Sequence, residues 1–168
     1  MKQLWDAKIL NGFRSHVPKG YYDPIKGHTG IDLAFKFEKI YAPCDLEILK
    51  NNTQKEMGRT LYCRDSEGLI HCYAHLLSFL YPVGSKVLCG QALAISGNSG
   101  TKGIVPHLHF EILAPSGTNP KMERNFLPFK GDNVDPTIYL SKWKDEASKN
   151  EANDSQGDWI ASPTKKEA

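Results

Sequence analysis

The sequence predicts a mainly β protein, a single antiparallel β-sheet domain with a short polar C-terminal tail. Three observations carry this. The segments "YAPCDLEILKN", "GRTLYCRDSEGLIHCYAHL", "KVLCGQALAIS" and "HLHFEIL" are rich in Ile, Leu, Val, Tyr and Phe, and Gly, Pro, Asp and Ser break them at roughly ten-residue intervals, the spacing of short strands joined by turns. Between Arg59 and His75, "RDSEG" separates "TLYC" from "LIHCYAH", which reads as a hairpin. From Ser141 the chain turns to "SKWKDEASKNEANDSQGDWIASPTKKEA", too poor in apolar anchors for more than a short helix and then a flexible tail. The boundaries are thus 1–140 for the domain and 141–168 for the tail; from about Ser148 onward Trp159 and Ile160 are the exception, able together to bury enough surface to dock.

Composition narrows the class. A chain of 168 residues that is 40% hydrophobic can bury one real core. With 21 Lys and Arg against 19 Asp and Glu, and no long basic run, nucleic acid is not an expected partner. The N-terminal "MKQLWDAKILNGF" is interrupted by Trp5, Asp6 and Lys8 and lacks the apolar core of a signal peptide; no run is long enough to span a membrane. Cys44, Cys63, Cys72 and Cys89 have no CxxC spacing and read as buried thiols rather than disulfides or metal ligands. No repeat appears at a solenoid period.

Two stretches carry chemistry. In "PHLHFEI" (106–112), strand alternation puts His107 and His109 on one face and Leu108 and Phe110 on the other. Such a pair serves metal binding, acid–base chemistry or packing. In "KGHTGIDLAF", His28 and Asp32 are four residues apart; Gly27, Gly30 and Pro24 disfavour a helix there, so a loop running into a strand is expected. His28, Asp32 and one of the later histidines would supply the two nitrogens and one carboxylate that suit a three-ligand zinc site. Glu111, at an even offset from His109, either orients a ligand histidine or only faces solvent. His16 takes no role.

Taken together, "GHTGIDLA", "YAHL" and "SGNSGTKGIVPHLHFEI" resemble, in order and context, the signature segments of the lysostaphin/LytM-type zinc metallopeptidases, a family of peptidoglycan endopeptidases. The resemblance extends from Asn11 to Leu140. Upstream, "NGFRSHVPKGYYDPIKGH" is similar to the family's lead-in, where a Phe-Gly-x-Arg stretch precedes the metal histidine; Phe13-Arg14 stands here without the intervening Gly-x. "DNVDPTIYL" is similar to the family's domain end.

The resemblance implies an antiparallel sheet with a substrate groove between loops and one Zn²⁺ per chain, held by His28, Asp32 and His109. It implies catalytic roles for His75 and His107. If "LIHCYAH" is one regular strand, His71 shares the face of His75 and lines the groove; Tyr73, like Tyr21 and Tyr22, either lines it through its hydroxyl or packs. His71, Tyr73 and Arg14 are the candidate substrate-binding residues. The implied activity is zinc-dependent endopeptidase hydrolysis in bacterial peptidoglycan, at cross-links or stem peptides, by a monomer acting on the cell wall in the periplasm or outside the cell. Without a signal peptide, the chain reads as a phage-type lysin made in the cytoplasm or one trimmed at its N-terminus. The alternative is a catalytically inactive relative that binds peptidoglycan or regulates a hydrolase, but such relatives lose ligands that this chain keeps. A lipoyl- or biotin-carrier-like domain, which "VGSKVLCGQALAIS" could fit, would need a lysine at a hairpin tip that is missing here.

Overall fold

The computed structural model describes residues 1–15, 27–114, 123–126 and 129–154. His16, Tyr21, Tyr22, Trp159 and Ile160, which the sequence singles out, lie outside the described residues. After a 3₁₀ turn at Leu4–Asp6 come eleven strands: β1 (Ile9–Asn11), β2 (Ile31–Leu33), β3 (Lys39–Tyr41), β4 (Leu46–Gln54), β5 (Gly58–Arg64), β6 (Ile70–Phe79), β7 (Lys86–Val87), β8 (Ala92–Ser96), β9 (Leu108–Ala114), β10 (Glu123–Phe126) and β11 (Phe129–Val134). One helix, α1 (Pro136–Asp154), follows. No helix among the described residues is long and apolar enough to cross a membrane.

The sheet runs in the order β1-β2-β9-β6-β5-β4-β7, with β11 beside β9, β10 beside β11, and β8 linking β3 to β6. Its ladders are antiparallel. The expected hairpin is β5–β6, with Arg64 opposite Ile70. Asp65 builds its turn, its Oδ1 accepting the backbone N–H groups of Glu67 and Leu69, each at 2.9 Å, the local side-chain capture that makes Asp a turn former.

Strand alternation gives the sheet two unlike faces. On one, Ile31 and Leu33 of β2, Leu108, Phe110 and Ile112 of β9, Tyr73 of β6, and Leu61 and Cys63 of β5 form the main core. On the other, Tyr62, Cys72, Ala74 and Leu113 form a smaller apolar cluster with Met57. His109 and Glu111 share this second face, because they pair directly with Ala74 and Cys72 and opposed residues project together. β9, buried along its whole length, is the common element of both faces.

The helix covers the main core. Asp135 accepts the Thr137 N–H at 2.9 Å and its hydroxyl at 2.7 Å, with Pro136 starting the helix, a preferred beginning. Leu140 and Trp143 are buried in the core, and the indole lies 5.1 Å from the His71 ring, 6.0 Å from Tyr139 and 6.4 Å from Phe110. The ordered chain thus crosses the boundary drawn at 140/141, and the helix is longer than the composition of this segment led one to expect. The segment is polar in composition, but its Trp143 packs into the core. Trp143→Ala is expected to destabilise the protein by about 3–5 kcal/mol, read as a lowered denaturant midpoint; a loss under about 1 kcal/mol, the scale of a surface change, would show that the indole does not anchor the helix.

Candidate metal centre and its flanking histidines

The β2–β9 ladder sets the centre. Asp32 is directly opposite His109, flanked by Ile31 opposite Phe110 and Leu33 opposite Leu108. Alternation therefore sends the apolar pairs into the core and the Asp–His pair to the other face. His28 arrives on the loop before β2, where Gly30 passes so close to β9 that a Cβ there would lie 2.2 Å from the Phe110 carbonyl oxygen. Only glycine fits that approach. Gly27, at φ +66, turns the same loop against Arg14, whose N–H donates to the His28 carbonyl at 2.7 Å.

Three donor atoms converge: His28 Nε2, Asp32 Oδ1 and His109 Nδ1 are 3.2, 2.9 and 3.1 Å apart pairwise. Each ring's other nitrogen is committed. His28 Nδ1 donates to the Gly12 carbonyl at 2.9 Å, and His109 Nε2 donates to Glu111 Oε1 at 2.8 Å. Because those partners accept, the site-facing nitrogens of the neutral rings carry lone pairs. Three acceptors then face one another at about 3 Å, an arrangement that needs a cation at its middle. These three side chains fit a divalent metal on these grounds, and they are one of two such groups among the described residues.

The titration of these groups records the same need. Burial alone would raise the Asp32 carboxyl, but hydrogen bonds from His109 and His28 and their charge hold it far below the usual carboxylate range. Burial alone would lower His109, yet its bonds to Asp32 and Glu111 outweigh this and lift it to about 9.

Behind His109, Glu111 is itself fully buried. Its carboxylate accepts the Thr29 hydroxyl at 2.6 Å and the Asn133 amide at 3.1 Å, so the charge that orients the histidine is held by donors from the β2 loop and from β11. Glu111 was legible from its even offset to His109. Thr29 and Asn133 were not; their only sequence signal is position, inside "GHTGID" and "DNVDP".

His75 and His107 flank the three donors. Their rings lie 4.7 Å apart, and His75 is 6.0 Å from His109. Both use Nδ1 against a loop carbonyl, His75 to Ser99 at 2.9 Å and His107 to Val105 at 2.8 Å. Both therefore turn Nε2 toward the centre, and His107 Nε2 reaches Asp32 Oδ1 at 3.5 Å. The loop carrying Ser99 is pinned to the sheet, its hydroxyl donating to the Leu76 carbonyl at 2.7 Å and accepting the Arg59 N–H at 2.9 Å. Burial is the main cause that pushes His75 down to about 4, partly offset by the Ser99 bond, so the ring is neutral at pH 7.

Two expected groove residues are elsewhere. His71 and Tyr73 are fully buried on the core side of β6, His71 packed against Trp143. The expectation that His71 shares the face of His75 required a regular strand, and β6 is not one. His75 adopts φ +59, its N–H goes to the Met57 carbonyl, and the register against β5 slips between Arg59 and Leu61. That irregularity moves His75 across the sheet and leaves His71 behind. Arg14 is exposed, and it is its backbone that meets the centre's loop.

Over 90 residues, 53% of this chain, the sequence is 28% identical to the peptidoglycan DD-endopeptidase ShyA of Vibrio cholerae. The chain spans about a fifth of the length of the curated relatives it matches. The fold is similar to that of the catalytic domain of lysostaphin from Staphylococcus simulans, with TM-score 0.66 and 23% identity over 82% of this chain and 95% of that one. A zinc-containing peptidase from Vibrio cholerae superposes with TM-score 0.55 and 27% identity, covering 62% of this chain and 32% of that one. The sequence model of Peptidase family M23 matches residues 26–136, a span that opens just before His28 and closes after β11, and the chain belongs to that family.

Proposed function

We propose that the chain is a zinc-dependent endopeptidase cleaving peptide bonds in bacterial peptidoglycan, with His28, Asp32 and His109 as metal ligands and His75 and His107 as catalytic residues. The observation that carries this is the convergence of three acceptor atoms beside two imidazoles that each fix Nδ1 on a backbone carbonyl, with His107 Nε2 reaching the same carboxylate oxygen. The name of the relative ShyA supports peptidoglycan as the substrate. Zinc in a site of two imidazoles and one carboxylate supplies Lewis-acid polarisation of a carbonyl and activation of water.

The chain's own residues do the rest. Asp32 and the two ligand rings are positioned by β2–β9 pairing and by the Gly12 and Glu111 bonds. His75 and His107, with Nδ1–H fixed on backbone carbonyls, each present an Nε2 lone pair that takes a proton from attacking water and returns it to the departing amine. Their anchoring costs little reorganisation during the reaction, since both carbonyls belong to the one segment between β8 and β9, which is tied to the sheet through the Ser99 hydroxyl and the Gly97–His107 bridge. Arg14, exposed at the lip of the His28 loop, remains the candidate for contact with substrate.

The deciding experiment is mass spectrometry of fragments released from purified peptidoglycans by the zinc-loaded protein. New peptide termini at cross-links or stem peptides are expected. Binding to the wall without any release would instead make the chain the inactive relative.

Ligands and catalysts should separate by mutation. His28→Ala and His109→Ala are each expected to cost one tightly bound zinc equivalent by elemental analysis. His75→Ala and His107→Ala should keep it and lose activity by about 10²–10⁴-fold. Metal loss from His107→Ala with retention in His109→Ala would reverse the roles of the pair. Glu111→Gln removes the charge behind His109 while keeping its shape, and zinc affinity should fall by about 10–100-fold in a chelator competition; an unchanged affinity would reduce Glu111 to a packing residue.

A further inference from the structure

A second group of metal-ligating side chains lies on the opposite face of β6. Cys44, just before β4, Asp65, at the start of the β5–β6 turn, and His71, in β6, each place a ligand atom within 4.8 Å of the other two. None of them takes part in the chemistry proposed for the first centre.

These groups are held as ligands are held. His71 Nε2 points at Asp65 Oδ2, 3.0 Å away, and its Nδ1 lies 3.3 Å from the Tyr73 hydroxyl. The ring is fixed between Trp143 and Phe110, with centroids at 5.1 and 5.9 Å. Asp65 Oδ1 is taken by the two turn N–H groups, which leaves Oδ2 as the atom facing the histidine. The His71 and Asp65 side chains are 0% and 5% exposed, so solvent does little to screen them, while half-buried Cys44 gives an opening to the surface. Cys89 stands beside it, its N–H donating to Asp45 Oδ1 at 2.8 Å and its Sγ 3.4 Å from the Pro43 carbonyl.

We propose that Cys44 Sγ, Asp65 Oδ2 and His71 Nε2 form a second divalent-cation site, of the zinc class, which ties the segment before β4 to the β5–β6 turn. Sulfur, nitrogen and oxygen donors together select a borderline-soft ion rather than magnesium or calcium. Binding ejects the Cys44 thiol proton to solvent and shifts the His71 proton from Nε2 to Nδ1, which faces the Tyr73 hydroxyl, so that coordinate bonds from Nε2 and Asp65 Oδ2 replace their hydrogen bond. Burial, then the negative charge of Asp65 and its neighbours, pushes the Cys44 thiol up to about 12. A sulfur-to-metal charge-transfer band needs a coordinated thiolate, so it reports the occupied site.

Cobalt(II) titration of the metal-stripped protein, held reduced with a phosphine, distinguishes the two centres because the first has no sulfur. A sulfur-to-cobalt charge-transfer band is expected, together with a second equivalent of bound metal. Cys44→Ser should abolish the band and remove that equivalent while leaving peptidase activity at the wild-type level. His28→Ala should remove activity and the other equivalent while keeping the band, so failure of one reading is visible apart from failure of the other. Asp65→Asn, nearly isosteric, should weaken cobalt binding at the sulfur-containing site by at least tenfold. No band in the wild-type protein, a band that survives Cys44→Ser, or a band lost only in Cys89→Ser would each overturn the proposal.

Discussion

The pairing of Asp32 with His109 across β2 and β9 is the constraint on which the centre rests. One ladder position decides both that a carboxylate and an imidazole meet and that their neighbours, Ile31 with Phe110 and Leu33 with Leu108, enter the core. A slip of β2 by one residue would turn Asp32 into the core, away from His109, and carry Ile31 and Leu33 out of it. The hydrophobic energy that sets the register, about 1.5–3 kcal/mol for each large side chain buried, is therefore the energy that assembles the polar site. His28 joins through a loop whose path depends on Gly30 having no Cβ.

Keeping charge at such a place demands a second layer. Glu111 is buried, and an unpaired carboxylate there would cost several kcal/mol. Thr29, Asn133 and His109 supply its hydrogen bonds. They come from the loop before β2, from β11 and from β9 itself, so three segments distant in sequence close around one carboxylate. The same bonds orient His109 with Nδ1 toward Asp32.

How much of this could be read in advance follows from the distances in sequence over which each feature is decided. His107 and His109 on one face, Glu111 behind them, and the β5–β6 hairpin are consequences of local alternation and turn chemistry. His28 and Asp32 were legible through segments resembling a known family. The position of His71 was not, because a single residue at positive φ, His75, breaks the alternation that links them, and no pattern of residue types announces that break. Trp143 escaped for another reason: its surroundings are polar, and only the β-sheet beneath α1 gives it something to pack against. The cysteines divide likewise, Cys63 and Cys72 buried as expected, Cys44 half-buried and Cys89 exposed.

The two ligand groups on β6 and β9 would not be equivalent even if both held the same ion. A divalent cation with one carboxylate and two neutral imidazoles, the set of Asp32, His28 and His109, retains one net positive charge. With a thiolate, a carboxylate and one imidazole, the set of Cys44, Asp65 and His71, the charges cancel. Residual positive charge is what polarises a carbonyl and lowers the pKa of water; a neutral, sulfur-ligated ion is a poorer Lewis acid and a better cross-link. The flanking groups match that division. Around the first set stand two imidazoles with open Nε2 atoms, able to move protons. Around the second stand Trp143, Phe110 and Tyr73, which hold the His71 ring in place and offer no general base. The sheet thus separates, by the alternation of one pair of strands, a face suited to reaction from a face suited to fastening.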